Sequence, residues 1–409
     1  MDFIISKNEL HSESDKVFSV KENNFTSINE PNDLKWSYGI TKQNTFNIID
    51  LFKLNNINLK LDIPQKFITS LSELHVQTHN IPWEYVLPDD IYQELILGFA
   101  RSISKHFKQL DTDYYTNTFK PTNDFLNTFV AAKVNRKKLL KYIRSEENKT
   151  SISNIETFVP DDDGYCRNTV CSRFASRTGR LVVKDGPRIL LLKKNYKDMF
   201  ESRFEGGKII QFDYVSFEAR LALSVVDKHC DSRDVYQFIN KEIFSSRLDR
   251  DFVKNIVLST LYGMKIENLS SKLEMHIDIV KEYANKIKEY FCFDKTYNKL
   301  LDDLKRHNNI KSYYGRKIDI ENYSPGAVYN SYVQSTGVDA ALLGFDNITK
   351  FTQKHNLNFV PLFTLHDALI ADVSPELFKY IDTIKSFGEM IPGIDNKFYL
   401  SHTSLCTSD

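Results

Sequence analysis

Residues 208–225 read Lys208-Ile209-Ile210-Gln211-Phe212-Asp213-Tyr214-Val215-Ser216-Phe217-Glu218-Ala219-Arg220-Leu221-Ala222-Leu223-Ser224-Val225. The first five residues are a short strand-like run that delivers Asp213 at its end. From Ser216 the period changes. Phe217, Leu221, Ala222 and Val225 fall on one helical face, with Ser216 a candidate N-cap. Asp213 is therefore expected at a strand-to-helix junction, where side chains are exposed and aimed. By itself this junction has a plain structural reading, a helix-initiating Asp/Ser turn.

Two further segments change its meaning. Phe359–Leu365 and Ala368–Val373 are apolar runs separated by His366-Asp367, as in a two-residue hairpin. That places Asp367 at the rim of a buried sheet. Asp is a common turn residue, so an ordinary hairpin is the plain alternative. A His-Asp pair also occurs in metal hydrolases, but no further His or Asp stands at ligand-like spacing. Arg250, Lys254, Leu258 and Tyr262 are spaced by four. Each step advances about 400° on an α-helix, so they form a slowly drifting stripe on one side. Arg and Lys one turn apart can clamp a triphosphate, and Gly263 is a natural C-cap. The plain alternative is an exposed amphipathic helix that stops at a glycine. Two Asp residues on neighbouring strand ends could together hold Mg²⁺, which prefers hard oxygen ligands, few protein carboxylates and substrate phosphates. Two such ions about 4 Å apart suit an in-line displacement at phosphorus.

Composition bounds the rest. The 409 residues allow two or three domains, or one large core with subdomains. A hydrophobic content of 41% and a charged content of 26% are ordinary for a soluble globular chain. Gly and Pro number only 14 and 11, which argues against long flexible linkers. Lys+Arg and Asp+Glu are both 54, so only clustering of positive charge could mark a nucleic-acid surface. Five cysteines (Cys166, Cys171, Cys230, Cys292, Cys406) with no CxxC pair argue against a zinc site or disulfide framework. They suit a reducing intracellular, cytoplasmic compartment. The acidic first thirty residues lack the apolar core of a signal peptide, and no run of 18 apolar residues suggests a membrane span.

Along the chain, residues 1–65 are polar and Asn/Ser/Lys-rich and read as a small or partly irregular N-terminal extension. Residues 66–110 look helical. Residues 122–146 read as another helix, ending in the basic run Lys133, Arg136, Lys137, Lys138, Lys141 and Arg144. That run is a solvated face or a surface tracking phosphates. Pro160-Asp161-Asp162-Asp163-Gly164 marks a turn and a subdomain boundary. A second basic stretch follows, from Arg173 to Lys197. Residues 228–305 are mostly helical in pattern. Strands are expected over 310–320 and 357–373 with a helix over 325–354 between them. One helix and a final strand around Lys397–Ser401 complete the chain.

In order and spacing the three segments resemble motifs A, B and C of the family A DNA polymerases. Further matches fill the intervals: Thr178-Gly179-Arg180-Leu181 before motif A, Asp234-Val235-Tyr236 with Ile243-Phe244 before motif B, the Gly315-Arg316-Lys317 turn, and Asn330-x3-Gln334-x4-Asp339 before motif C. The resemblance covers roughly residues 165–373. It implies an α+β right-hand fold: an N-terminal extension (1–65), a helical thumb (66–165), an antiparallel-sheet palm in two parts (166–227 and 310–409) and helical fingers (228–309). It implies template-directed DNA synthesis with two Mg²⁺ ions, Mn²⁺ being a substitute. Asp213 and Asp367, helped by the Tyr214 carbonyl, would hold the metals. Arg250 and Lys254 would bind the triphosphate, Lys254 also as a proton donor, with Tyr236 nearby. Glu218 would be the gate against a 2′-hydroxyl, supported by Tyr262 and bordered by Leu258. Arg180, Asn330, Gln334, Arg316 and His366 would contact DNA. The expected partners are primer-template DNA and dNTPs, with no membrane. A monomer is expected, with a processivity or nuclease subunit as an optional companion.

Three positions depart from the family pattern. Ala368 stands where the family commonly has Glu after the motif C Asp. Leu258 replaces a Phe or Tyr, and Tyr236 replaces a His. These bear on sugar discrimination and fidelity rather than on the metal carboxylates. The N-terminal ~165 residues are too few for a thumb plus a proofreading domain, and no Asp-x-Glu exonuclease segment stands out, so no nuclease activity is expected. The alternatives are a catalytically silent polymerase-like protein that only binds primer-template DNA, and a single-subunit RNA polymerase, which Glu218 disfavours.

Overall fold

The computed structural model describes residues 2–10, 17–26, 37–40, 45–57, 59–76, 81–107 and 110–405. Parts of the first 65 residues, and Cys406, lie outside the described residues. Contacts divide the chain into two compact units, 1–115 and 116–409.

In the first unit, β1 (Asp2–Ile5), α1 (Lys7–Leu10), β2 (Val17–Ser19), β3 (Asn24–Thr26), β4 (Tyr38–Ile40) and β5 (Thr45–Asn47) precede α2 (Ile48–Leu54). The strands form an antiparallel sheet of order β3-β2-β1-β4-β5. Asn47 caps α2 by accepting the Asp50 N–H at 3.1 Å. Three helices follow, α3 (Gln65–Glu73), α4 (Trp83–Val86) and α5 (Asp89–Phe107). Along α5, Tyr92, Ile96, Phe99 and Ile103 recur at helical spacing and are buried. They share a core with Phe3 and Ile5 of the sheet. Two features differ from the sequence pattern. The described residues of the polar N-terminal stretch form a sheet, whose strands of three or four residues carry too few side chains to register as a sequence pattern. The helices of 66–107 pack on that sheet, so the segment expected as one thumb is divided at 115/116.

The second unit begins with α6 (Lys120–Leu126), β6 (Lys133–Val134), α7 (Arg136–Ser145) and α8 (Lys149–Glu156). The single helix expected over 122–146 is thus broken. Asn135 takes an extended backbone and caps α7, accepting the Lys138 N–H at 2.9 Å. Next come β7 (Val170–Ser172), β8 (Val182–Asp185), β9 (Phe200–Glu201), β10 (Lys208–Tyr214) and α9 (Phe217–Ser224). Five helices follow: α10 (Val235–Phe244), α11 (Arg250–Leu261), α12 (Ile266–Leu273), α13 (Ile277–Tyr290) and α14 (Phe293–His307). The hairpin β11 (Asn309–Lys311) and β12 (Lys317–Asp319) leads to α15 (Pro325–Lys354). The chain ends with β13 (Phe359–Leu365), β14 (Ala368–Val373), α16 (Ile381–Glu389) and β15 (Leu400–Ser404).

The unit is organised on an antiparallel sheet of order β13-β14-β10-β15. The α+β class is as expected. Alternation along β10 sets both faces. Ile210, Phe212 and Tyr214 join a core with Tyr329, Val333 and Phe345 of α15. Ile209 joins a second core with Phe158, Phe200 and Phe363. Asp213 and Gln211 share the second face. Among the described residues no helix is long and apolar enough to cross a membrane.

Candidate active site

Pairing of β10 with β14 sets Asp213 opposite Ala368, the residue after Asp367. The Tyr214 N–H donates to the Asp367 carbonyl at 3.2 Å. His366 takes φ +56° at the hairpin tip, which lets a two-residue turn follow the twist of its strands. On the other side, Ser401 Oγ donates to the Asp213 carbonyl at 3.0 Å. Two carboxylates from distant segments thus sit at one sheet rim. Ser216 stands at the N-cap position of α9, but its φ of +53° carries the hydroxyl away from the helix N–H groups. It lies instead 3.5 Å from Asp234 Oδ1.

Burial and then the Asp213 charge push Asp367 up to about 6. Burial also raises Asp213, opposed by Lys197, the Gln211 amide, Lys194 and Lys254. A carboxyl raised in the folded state favours folding below that pKa and costs stability once pH rises through it. Asp367→Asn is therefore expected to stabilise the metal-free protein at pH 7 by on the order of 2 kcal/mol. The gain should fade toward pH 4, where the folded-state carboxyl is protonated and about half of the unfolded-state carboxyl is too. Unfolding midpoints of both proteins in EDTA at pH 4 and 7 check this, and a variant less stable than wild type at pH 7 would refute it.

Helix α11 faces this rim. Asp249 caps it, accepting the Asp251 and Phe252 N–H groups, and buried Val253, Ile256, Val257 and Leu261 fix its rotation. The opposite stripe then carries Arg250, Lys254 and Leu258 into a cavity of about 410 Å³ that Asp213, Tyr214 and Asp367 also line. Glu218, Tyr236, Arg180, Gln334 and His366 line the same cavity. Lys254 is exposed within it. Arg250 is half-buried and pairs with Asp234 through Nε and with Asp251 at 3.1 Å, its guanidinium 5.5 Å from the Tyr236 ring centre. Burial and the Glu218 carboxylate raise the Tyr236 phenol. Tyr262 ends α11, its buried phenol raised by burial and by the neighbouring Glu218 charge. Gly263 follows at φ +74° with its Cα against Gly326 of α15, where any Cβ would collide with backbone. His366 is lowered by burial and by Arg180, with Glu218 opposing.

Three expected residues lie outside this lining; Tyr262 borders a neighbouring pocket with Leu258 and Gly263. Asn330 is half-buried on α15, one turn before Gln334, outside the cavity lining. Arg316, expected to face DNA, is only 5% exposed. Its guanidinium donates to the Arg173 carbonyl at 2.8 Å. Sequence reasoning also missed groups that matter. Lys197 Nζ donates to Gln211 Oε1 at 3.2 Å, and the Gln211 side chain in turn bonds Asp213. Lys197 belongs to the basic run after Arg173, but nothing in that run separates it from its solvated neighbours.

The donor set suits magnesium. Two aspartates and a backbone carbonyl are hard oxygen ligands, and a dication held by them would offset the Asp213 charge that adds to burial in raising Asp367. Among the described residues no group of three or more His, Cys, Asp or Glu gathers at one point.

Comparison with known proteins bears on the fold and the family. The POL domain of Pol1 from M. smegmatis, in complex with DNA primer-template and dNTP, is similar in fold with a TM-score of 0.62 at 14% identity. The likeness covers 82% of this chain and 77% of that chain. No curated protein matches the sequence. The model of the family described as DNA polymerase family A matches residues 100–388. By that match, which spans well over half its length, the chain belongs to DNA polymerase family A.

Proposed function

We propose that this DNA polymerase extends a primer 5′→3′ along a template from dNTPs by two-metal-ion nucleotidyl transfer, without a proofreading exonuclease of its own. One observation carries the proposal: Asp213 and Asp367, brought to one rim by the pairing of β10 with β14, line one cavity with Arg250 and Lys254 of α11. Mg²⁺, or Mn²⁺ in its place, would be held by Asp213, Asp367 and the Tyr214 carbonyl and supply charge stabilisation to the attacking and leaving oxygens. Arg250 and Lys254 bind the triphosphate, and Lys254 hands a proton to the departing pyrophosphate. Arg180, Gln334, Asn330 and His366 hold the primer terminus. Primer extension with dNTPs against NTPs, each with Mg²⁺, tests the whole. No incorporation with retained duplex binding would leave a silent DNA-binding protein, and a preference for NTPs would make it an RNA polymerase.

Glu218 sets the sugar preference. A carboxylate beside Tyr262 crowds an added 2′-hydroxyl and leaves its hydrogen bonds unmade. Glu218→Ala should raise the rNTP/dNTP ratio roughly 10- to 100-fold. An unchanged ratio in steady-state incorporation would remove Glu218 from the gate. Leu258→Tyr should in turn improve use of dideoxynucleotides, because a phenolic hydroxyl can replace the missing 3′-hydroxyl.

No 3′→5′ shortening of a labelled primer is expected with Mg²⁺ and no dNTP. The first unit does bury two acids: burial raises Glu9, and burial with Glu9 nearby brings Asp50 to about 6. Both also sense Lys53, and no third acid joins them among the described residues. Shortening that survives purification and disappears in Asp50→Asn would overturn this part of the proposal.

A further inference from the structure

Arg316 and Arg173 are buried arginines outside the cavity lining, at 5% and 2% exposure. Arg316 leaves a tightly closed turn between β11 and β12. The Ser312 N–H donates to the Arg316 carbonyl at 2.8 Å, and the Arg316 N–H returns to Ser312 Oγ at 3.1 Å. From that fixed base its guanidinium reaches one loop at two points. It donates to the Arg173 carbonyl at 2.8 Å. It also covers Gly179, where a Cβ would stand 2.7 Å from the Arg316 Cζ. Gly179 has φ +75°, so the position suits glycine twice over. Arg173 is itself anchored. Its guanidinium pairs with Asp339 of α15, donates to Thr122 Oγ1 of α6 and lies 5.1 Å from the Phe119 ring centre.

Segment 173–180 is thus pinned at its start by α6 and α15 and at its end by Arg316. The next residue after Gly179 is Arg180, which is exposed and lines the active-site cavity. A buried ion pair costs desolvation that apolar packing would avoid, so it is weak evidence for stability as such. What this arrangement delivers is a fixed position for one loop.

We propose that Arg316 is a positioning residue for DNA synthesis: through Gly179 and the Arg173 carbonyl it holds Arg180 against the primer terminus. The proposal rests on the primer contact assigned above to Arg180. Arg316 touches no substrate and acts only by way of that side chain.

A double-mutant cycle on the full chain tests it, with Arg180→Ala, Arg316→Met and both together. Single-turnover extension rate, dNTP KM, primer–template Kd and unfolding midpoint are measured for each. Arg180→Ala is expected to slow extension 10- to 100-fold, and Arg316→Met to slow it by a similar factor. The double variant should be no slower than Arg180→Ala, because the two act as one unit. The primer–template Kd should change little, since phosphate contacts elsewhere carry affinity. If Arg316→Met lowers the unfolding midpoint and its rate effect multiplies with that of Arg180→Ala, the role is structural and the proposal fails. A wild-type rate in Arg316→Met also overturns it. A wild-type rate in Arg180→Ala instead overturns the primer contact, and the proposal with it. Should Arg316→Met not fold, Arg316→Lys keeps the charge and one donor but cannot cover Gly179. It should show the same non-additivity at smaller size, and multiplicative effects there refute the proposal equally.

Discussion

Asp213→Asn and Asp367→Asn are each expected to slow nucleotide incorporation by roughly a thousandfold or more, while duplex affinity stays within a few-fold. Each change removes an anionic oxygen ligand from the rim where β10 meets β14. Losing one such ligand costs several kcal/mol of transition-state stabilisation, and about 4 kcal/mol is a factor of a thousand. Asparagine keeps the volume and the backbone pairing, so the sheet is preserved. DNA affinity rests mainly on phosphate contacts spread over a large surface, which neither change touches. Single-turnover extension and duplex binding, measured on the same preparations, decide the outcome. Near-normal extension by either variant would sink the assignment of the metal carboxylates. Recovery of part of the rate with Mn²⁺, which tolerates altered ligand sets better, would support it.

Lys254→Ala should lower kcat/KM for dNTPs about a hundredfold, with primer–template affinity little changed. A charge-assisted contact to phosphate oxygens in a sheltered cavity contributes about 2–4 kcal/mol at the transition state. Lys254 is the cleaner of the two cations to remove. It is exposed, and the α11 residues that pack into the core lie on the opposite face. Arg250 is tied to Asp234 and Asp251, so its loss would also free Asp234, which caps α10. Pre-steady-state rates across a dNTP series provide the check. A wild-type rate at low dNTP would place the triphosphate elsewhere than along this helix.

Much of this protein was legible without coordinates. The chemistry-bearing segments are local patterns, and local periodicity is what a sequence displays. The strand carrying Asp213, the hairpin around His366-Asp367, the helix carrying Arg250, Lys254 and Leu258, and helix α15 over 325–354 all have the expected places. So does the order of segments that identified the family. What the sequence could not display depends on contacts between distant residues. β10 lies between β14 and β15, and only that pairing brings Asp213 beside Asp367. The N-terminal sheet is assembled from strands of three or four residues whose stability comes from α5 packing on it. Ser216 is a good capping residue by type, yet a positive φ at the junction overrides the cap. Arg316 looks like any cation beside DNA, but a glycine and a carbonyl from a loop far back in the chain bury it. Lys197 is one of several lysines in a basic run until the fold sets Gln211 between it and Asp213. A side chain's type and its near neighbours follow from the sequence, whereas its exposure and its partner follow from which remote backbone arrives next to it.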